Sequence, residues 1–213
     1  MFDKKQEFIE FTINENILRF GDFTLKSGRR SPYFFNTGLC NNGKLLSELT
    51  SYYADYIHDH SLNYNFIFGP AYKGITLCSS ISQSLFNKYS AITNYAFNRK
   101  EAKTHGDKGN FVGCEIKGKA LIVDDVISSG SSIIESYNLL TSHNVECTDI
   151  LVAFNRMEIG DKLMASTEIT NNYNIETHYL INLEDIYEYV KSNNNYKKYI
   201  QAMEEYISKY KGC

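Results

Sequence analysis

Four apolar residues, Ala120 to Val123, run directly into two aspartates, Asp124 and Asp125, and shortly afterwards into Ser128-Ser129-Gly130-Ser131-Ser132. An uninterrupted apolar run of this length suits a strand covered on both faces, as in a parallel sheet between layers of helix. Adjacent carboxylates at the end of such a strand repel one another and need a reason to be there. The small hydroxyl-and-glycine turn leads into an apolar-periodic helix that starts at Ile133 and runs through Leu140. Backbone N–H groups at a helix N-terminus stabilise a phosphate. Carboxylates accept hydrogen bonds from paired hydroxyls, as on a ribose. The order strand, acids, turn, helix therefore predicts a site for a phosphorylated sugar. A plain solvated turn, with Ser131 capping the helix, leaves both acids unexplained.

The remainder of the chain supplies the layers that such a strand requires. Helical spacing of Phe8, Phe11, Ile17 and Leu18 predicts a helix over residues 3–20, with Gly21 as its stop. Segments 23–26 and 33–36, around Ser27-Gly28-Arg29-Arg30, predict a hairpin, with Pro32 at an edge. Helices are expected over 42–58, 75–86, 161–171, 184–190 and 199–210, and strands over 65–68, 92–97, 149–154 and 175–181. Strands alternating with helices predict an α/β class with a mostly parallel sheet flanked by helices. Ligands of such sheets bind beyond the carboxyl ends of the strands. Tyr72-Lys73, the segment 98–113, Asp124-Asp125 and Arg156 all follow strands and should meet at one edge of the sheet.

Segment 98–113, NRKEAKTHGDKGNFVG, is polar, basic and punctuated by glycine. Long connections of this kind are usually functional lids or disordered segments. Arg99, Lys100, Lys103 and His105 suit a mobile loop that closes over a polyphosphate. Gly113–Ala120 comes close to a P-loop pattern, but it lacks the Ser/Thr and precedes a strand instead of following one. It is read as the turn into the Leu121 strand.

With 213 residues, one domain with elaborations is expected over 1–213. A net charge of −3 argues against a dedicated nucleic-acid partner. Five scattered cysteines show neither metal-ligand spacing nor a disulfide framework, which fits a reducing cytoplasm. No apolar run approaches the length of a membrane span.

LIVDDVISSGSS resembles the phosphoribosyl diphosphate (PRPP) signature of the type I phosphoribosyltransferases. FGDFTLKSGRRSPYFFNTGL, FGPAYKGI and FNRKEAKTHGDKGNFVG narrow the resemblance to the bacterial orotate phosphoribosyltransferases, over essentially the whole chain. The resemblance implies the type I fold, with a hood from residues 1–40 and the C-terminal region, and a mobile lid at 98–113. It implies that Asp124 and Asp125 hold the ribose hydroxyls, with Val126, Ile127, Ser128, Ser129, Gly130, Ser131 and Ser132 around the 5′-phosphate. Tyr72 and Lys73 form a pyrophosphate loop whose Ala71–Tyr72 peptide is expected to be cis. Lys26, Arg99, Lys100, Lys103 and His105 reach the PRPP phosphates, some of them in a neighbouring subunit of a homodimer. Phe34, Phe35, Ser128 and Arg156 receive orotate. Lys73, Lys103, Asp124 and Asp125 are the implied catalytic groups. Mg²⁺ is the implied cofactor, held mainly by PRPP, pyrophosphate and water, with no direct protein ligand. The loop departs from the family's common Thr-Ala-Gly-Thr form, but hydroxyls remain at Ser128 and Ser131. Transfer to a purine base and a non-catalytic PRPP-sensing regulator are the competing functions. Neither needs Phe34-Phe35, Arg156 and this lid together, and the regulator would need a DNA-binding extension.

Overall fold

The computed structural model describes residues 2–25, 28–100 and 110–212. Helix α1 covers Phe2–Asn14, and a two-stranded antiparallel sheet follows, with β1 at Leu18–Thr24 and β2 at Arg30–Phe35. Next come α2 (Gly43–His60), β3 (Phe66–Gly69), α3 (Lys73–Tyr89), β4 (Asn94–Asn98) and β5 (Phe111–Gly113). The chain continues through β6 (Lys119–Ile127), α4 (Ser131–Thr141), β7 (Glu146–Asn155), α5 (Ala165–Tyr173) and β8 (Glu176–Asn182). It closes with α6 (Leu183–Ser192) and α7 (Ile200–Tyr210).

The main sheet has the order β5-β4-β3-β6-β7-β8, parallel except for the edge strand β5. The chain starts this sheet at β3, moves outward to β5, then returns to place β6 on the other side of β3. The carboxyl ends of β3 and β6 therefore flank a topological switch point, where a crevice opens in sheets of this kind.

Alternation along the strands divides the core in two. Ile67, Leu121, Val123, Leu151 and Ala153 face one layer, packed with residues of α1, α2, α3, α6, α7 and the hairpin. Phe66, Phe68, Ala120, Ile122, Ile150 and Val152 face the other, with Ile133, Leu140, Ala165 and Ile169 of α4 and α5. Both faces of β6 are thus covered, which is why its apolar run is continuous and not alternating.

Several boundaries differ from the sequence expectation, each for a local reason. The helix expected over 3–20 ends at Asn14, because Asn16 adopts a φ of 58° and Leu18 pairs with Phe35 across the hairpin. Gly21 marks a register shift in β1 between Phe20 and Phe23, a bulge where a helix stop was expected. Phe111–Gly113 pairs antiparallel with β4, so the last part of the 98–113 segment is strand. Residues 101–109 lie outside the described residues. Helix α5 starts at Ala165, later than Asp161, because Glu168 accepts the backbone N–H groups of Asp161, Lys162 and Leu163 and folds them into a turn. The near-P-loop stretch is the turn from β5 into β6.

Candidate active site

Strand β6 runs on through both aspartates to Ile127, so Asp124 and Asp125 belong to the sheet's rim and not to a loop beyond it. Their side chains are mostly buried, at 8 % and 6 % exposure. Buried carboxylates need partners, and each finds them. Asp124 Oδ1 accepts the Asp125 N–H at 2.9 Å, and its Oδ2 accepts the Ser132 hydroxyl at 3.1 Å. The Tyr53 hydroxyl, fully buried, donates to the Asp124 carbonyl at 2.8 Å. Asp125 Oδ2 accepts the Thr37 hydroxyl at 2.8 Å and Lys73 Nζ at 2.5 Å. Burial, then the neighbouring Asp125 charge, pushes the Asp124 carboxyl up to about 6.

Lys73 comes from the other side of the switch point. It is the first residue of α3, directly after β3 and the Gly69-Pro70-Ala71-Tyr72 turn. The Ala71–Tyr72 peptide is cis. The Ala71 N–H donates to Asn98 Oδ1 at 2.9 Å, which ties the turn to the end of β4. Gly69 and Gly74 allow this turn to close: a Cβ on Gly74 would lie 2.6 Å from both Gly69 C and Pro70 Cδ. Tyr72 is 70 % exposed, and Lys100 Nζ stands 5.0 Å from the centre of its ring.

The turn after β6 is short. Gly130 precedes α4 with a φ of 77°, a conformation in which a side chain is strained, and Ser131 and Ser132 already form the first turn of the helix. Ser128, Ser129, Ser131 and Ser132 are exposed, whereas the Ile127 side chain is buried in the α4–α5 layer. A cleft of about 600 Å³ lies between this helix start and the end of β4, lined by Pro70, Ala71, Asn98, Arg99, Lys100, Ser131 and Ser132 among others. Free N–H groups at a helix start, hydroxyls and cations line one concavity, which is suited to phosphate.

Phe34 and Phe35 point in opposite directions, as neighbours on a strand must. Phe35 is core, 5.0 Å from the Phe154 ring, while Phe34 is half-buried under the Arg19 guanidinium. Arg156 follows β7, and its N–H reaches the Ile127 carbonyl at 3.0 Å, which places it beside the end of β6. Its guanidinium is buried, with Nε 2.7 Å from Glu158 Oε1 and Nη2 2.7 Å from the Tyr206 hydroxyl. The structure therefore brings Lys73, Asp124, Asp125, Arg99, Lys100 and the serine turn together, with Arg156 adjacent. Lys26, Lys103 and His105 fall outside the described residues.

Thr37, Asn98, Glu158 and Tyr206 also touch these groups; Thr37 and Asn98 lie inside motifs that gave them no role, and no motif contained Glu158 or Tyr206. Only the Arg156-Met157-Glu158 spacing, opposite charges just past a strand, carried any signal.

Residues 39–177 match the family model described as a phosphoribosyl transferase domain. An orotate phosphoribosyltransferase of Mannheimia succiniciproducens is 44% identical over 211 residues, covering 99% of both chains. One from Haemophilus influenzae is 42% identical over 207 residues, covering 97% of each. The crystal structure of orotate phosphoribosyltransferase from Francisella tularensis superposes with a TM-score of 0.87 at 41% identity, over 97% of this chain and 100% of that one. The chain belongs to the orotate phosphoribosyltransferase family.

Proposed function

We infer that the protein transfers the 5-phosphoribosyl group of PRPP to N1 of orotate, giving orotidine 5′-monophosphate and pyrophosphate. The Lys73–Asp125 ion pair across the switch point carries this reading. It sets a cation for pyrophosphate directly against a carboxylate for ribose. The whole-length identity to orotate phosphoribosyltransferases disfavours the purine-base and regulator alternatives.

In this reading PRPP lies along the cleft, with its 5′-phosphate on the Ser128–Ser132 turn and its ribose hydroxyls on Asp124 and Asp125. Lys73, Arg99 and Lys100, with Lys103 and His105 of the lid, neutralise the pyrophosphate as the C1–O bond breaks and the C1–N1 bond forms. Positive charge developing at the ribose is stabilised by the field of Asp125. Orotate is held by Phe34 and Arg156, the latter suited to a planar carboxylate. Closure of the lid excludes water that would hydrolyse PRPP.

The donor set also fits the use of Mg²⁺. Carboxylate oxygens suit a hard cation, but Lys73 and Thr37 already occupy Asp125 Oδ2. Most of the ligands would therefore be oxygens of PRPP and water, with Asp124 and Asp125 acting through the ribose hydroxyls. When bound, the ion adds charge neutralisation at the leaving pyrophosphate.

A single catalytic domain acting as a homodimer belongs to the same reading, with lid residues shared between subunits. Phe86, Ile92 and Tyr95, at 57 %, 89 % and 36 % exposure, form an apolar surface on α3 and the approach to β4 that would suit a second copy. A cytoplasmic location is supported by Cys40, Cys78, Cys114 and Cys147 being free thiols. No described helix is long and apolar enough to cross a membrane.

The test is Mg²⁺-dependent loss of orotate absorbance on adding PRPP, run beside hypoxanthine and adenine. Consumption of a purine, or of no base at all, would refute the assignment.

A further inference from the structure

Glu158 is a buried carboxylate to which the proposed chemistry gives no role. It lies just past β7 and is 6 % exposed. Donors from separate parts of the chain share its oxygens. Oε1 accepts Arg156 Nε at 2.7 Å and the Tyr206 hydroxyl of α7, while Oε2 accepts Arg29 Nη1, from the hairpin turn, at 3.0 Å. The Arg156 guanidinium also lies 5.0 Å from the centre of the Tyr33 ring. Arg156 is thus held along its Nε–Nη2 edge and on one face. Among the described residues its Nη1 makes no hydrogen bond.

An arginine gripped in this way cannot rotate, so its remaining N–H groups keep one direction. The charges within the cluster do not cancel either. Two guanidiniums, Arg29 and Arg156, face one carboxylate, Glu158. Arg29 keeps 32 % of its side-chain surface in solvent, so water screens much of the excess, and an anionic ligand on the Arg156 side supplies the remaining counter-charge.

We propose that Glu158 is a positioning residue that aims Arg156 at the carboxylate of the acceptor base, with Tyr206 closing the grip from α7. The inference rests on Arg156 being the orotate contact. Arg29 and Tyr206 both lie outside residues 39–177, the part matched by the general phosphoribosyl transferase model. Apart from Lys26 and Thr37, the groups assigned to PRPP lie within the shared domain. The aim of the acceptor half is set by the hairpin and the C-terminal helix.

The test uses the full-length chain with Glu158→Gln, Tyr206→Phe and Arg156→Lys, measuring kcat and KM for each substrate, and Tm. Gln keeps the size of Glu and one acceptor oxygen but cannot accept from Arg156, Tyr206 and Arg29 together. Glu158→Gln is expected to raise the orotate KM about 10- to 100-fold, the loss expected for a charged hydrogen bond, with the PRPP KM within about two-fold. Tyr206→Phe should raise the orotate KM about 3- to 10-fold, again sparing PRPP. An unchanged orotate KM in Glu158→Gln, while Arg156→Lys raises it, overturns the positioning role alone. An unchanged orotate KM in Arg156→Lys overturns Arg156 as the orotate contact. A Glu158→Gln protein in which both KM values rise and Tm falls shows a merely structural role and also overturns the proposal. If Glu158→Gln does not fold, Tyr206→Phe decides by the same split.

Discussion

Lys73 Nζ stands 2.5 Å from Asp125 Oδ2, joining the first residue of α3 to the rim of β6. The carboxylate is the lysine's counter-charge. Thr37 shares that oxygen, and in the proposed reaction a bound pyrophosphate would compete for the same ammonium. Lys73→Ala is expected to lower kcat by about 10²–10³, the scale of removing one stabilising donor from a transition state. A steady-state assay at saturating PRPP reads this, and an unchanged kcat would remove Lys73 from the chemistry.

Lys103 belongs to the lid sequence, and the same electrostatic reasoning applies to it. Lys103→Ala should also reduce kcat by about 10²–10³ if the lid neutralises the leaving group. Full activity in that variant would show that the lid only encloses the substrates.

The Asp124 carboxyl, pushed up to about 6 by burial and by Asp125, makes the protein sensitive to pH. An unfolded aspartate titrates near about 3.9. Between these two values the native state binds more protons than the unfolded state, so this group's contribution to stability falls as pH rises through the window. Asp124→Asn should flatten the pH dependence of Tm between about pH 4 and 6. In the proposed reaction the ionised form is the acceptor for ribose, so wild-type kcat/KM for PRPP should fall as pH drops below about 6. A flat profile from pH 5 to 8 would contradict that role.

Gly74 packs against the backbone of Gly69 and Pro70, with no room for a methyl group. Gly74→Ala should cost about 1–3 kcal/mol of stability, as overpacking does, and raise the PRPP KM by displacing Lys73. Urea unfolding with a PRPP titration measures both. An unchanged midpoint would mean that the turn can shift without penalty.

The Tyr33 hydroxyl is fully buried and makes no hydrogen bond among the described residues. Deleting an unsatisfied polar group should be neutral or favourable. Tyr33→Phe is expected to leave stability within about 1 kcal/mol of wild type or above it. A larger loss on thermal melting would show that the hydroxyl has a partner.

Much of the candidate site around β6 was legible in the chain. Leu121–Ser132 encodes strand, acids, turn and helix in consecutive residues, and local order of that kind survives into the fold. The limits were equally local. Leu18 continued a helical spacing, yet pairing with Phe35 made it strand. Asp124 and Asp125 read as following the end of the strand, yet the ladder with β7 carried β6 on to Ile127.

The sequence by itself determined the α/β class, the order of strand, acids, turn and helix, and the family. Each of these depends on residue types at short, fixed spacings along one chain. Tertiary structure alone decided that Lys73 and Thr37 meet on one oxygen of Asp125, and that Arg29, Arg156 and Tyr206 meet on Glu158. Apart from Arg156 and Glu158, which are two residues apart, those contacts join segments distant in the chain. They exist because the return of β6 to β3 and the docking of α7 on the hairpin bring the segments together. No periodicity or motif encodes which distant side chain will satisfy a buried charge, because that choice is made by packing.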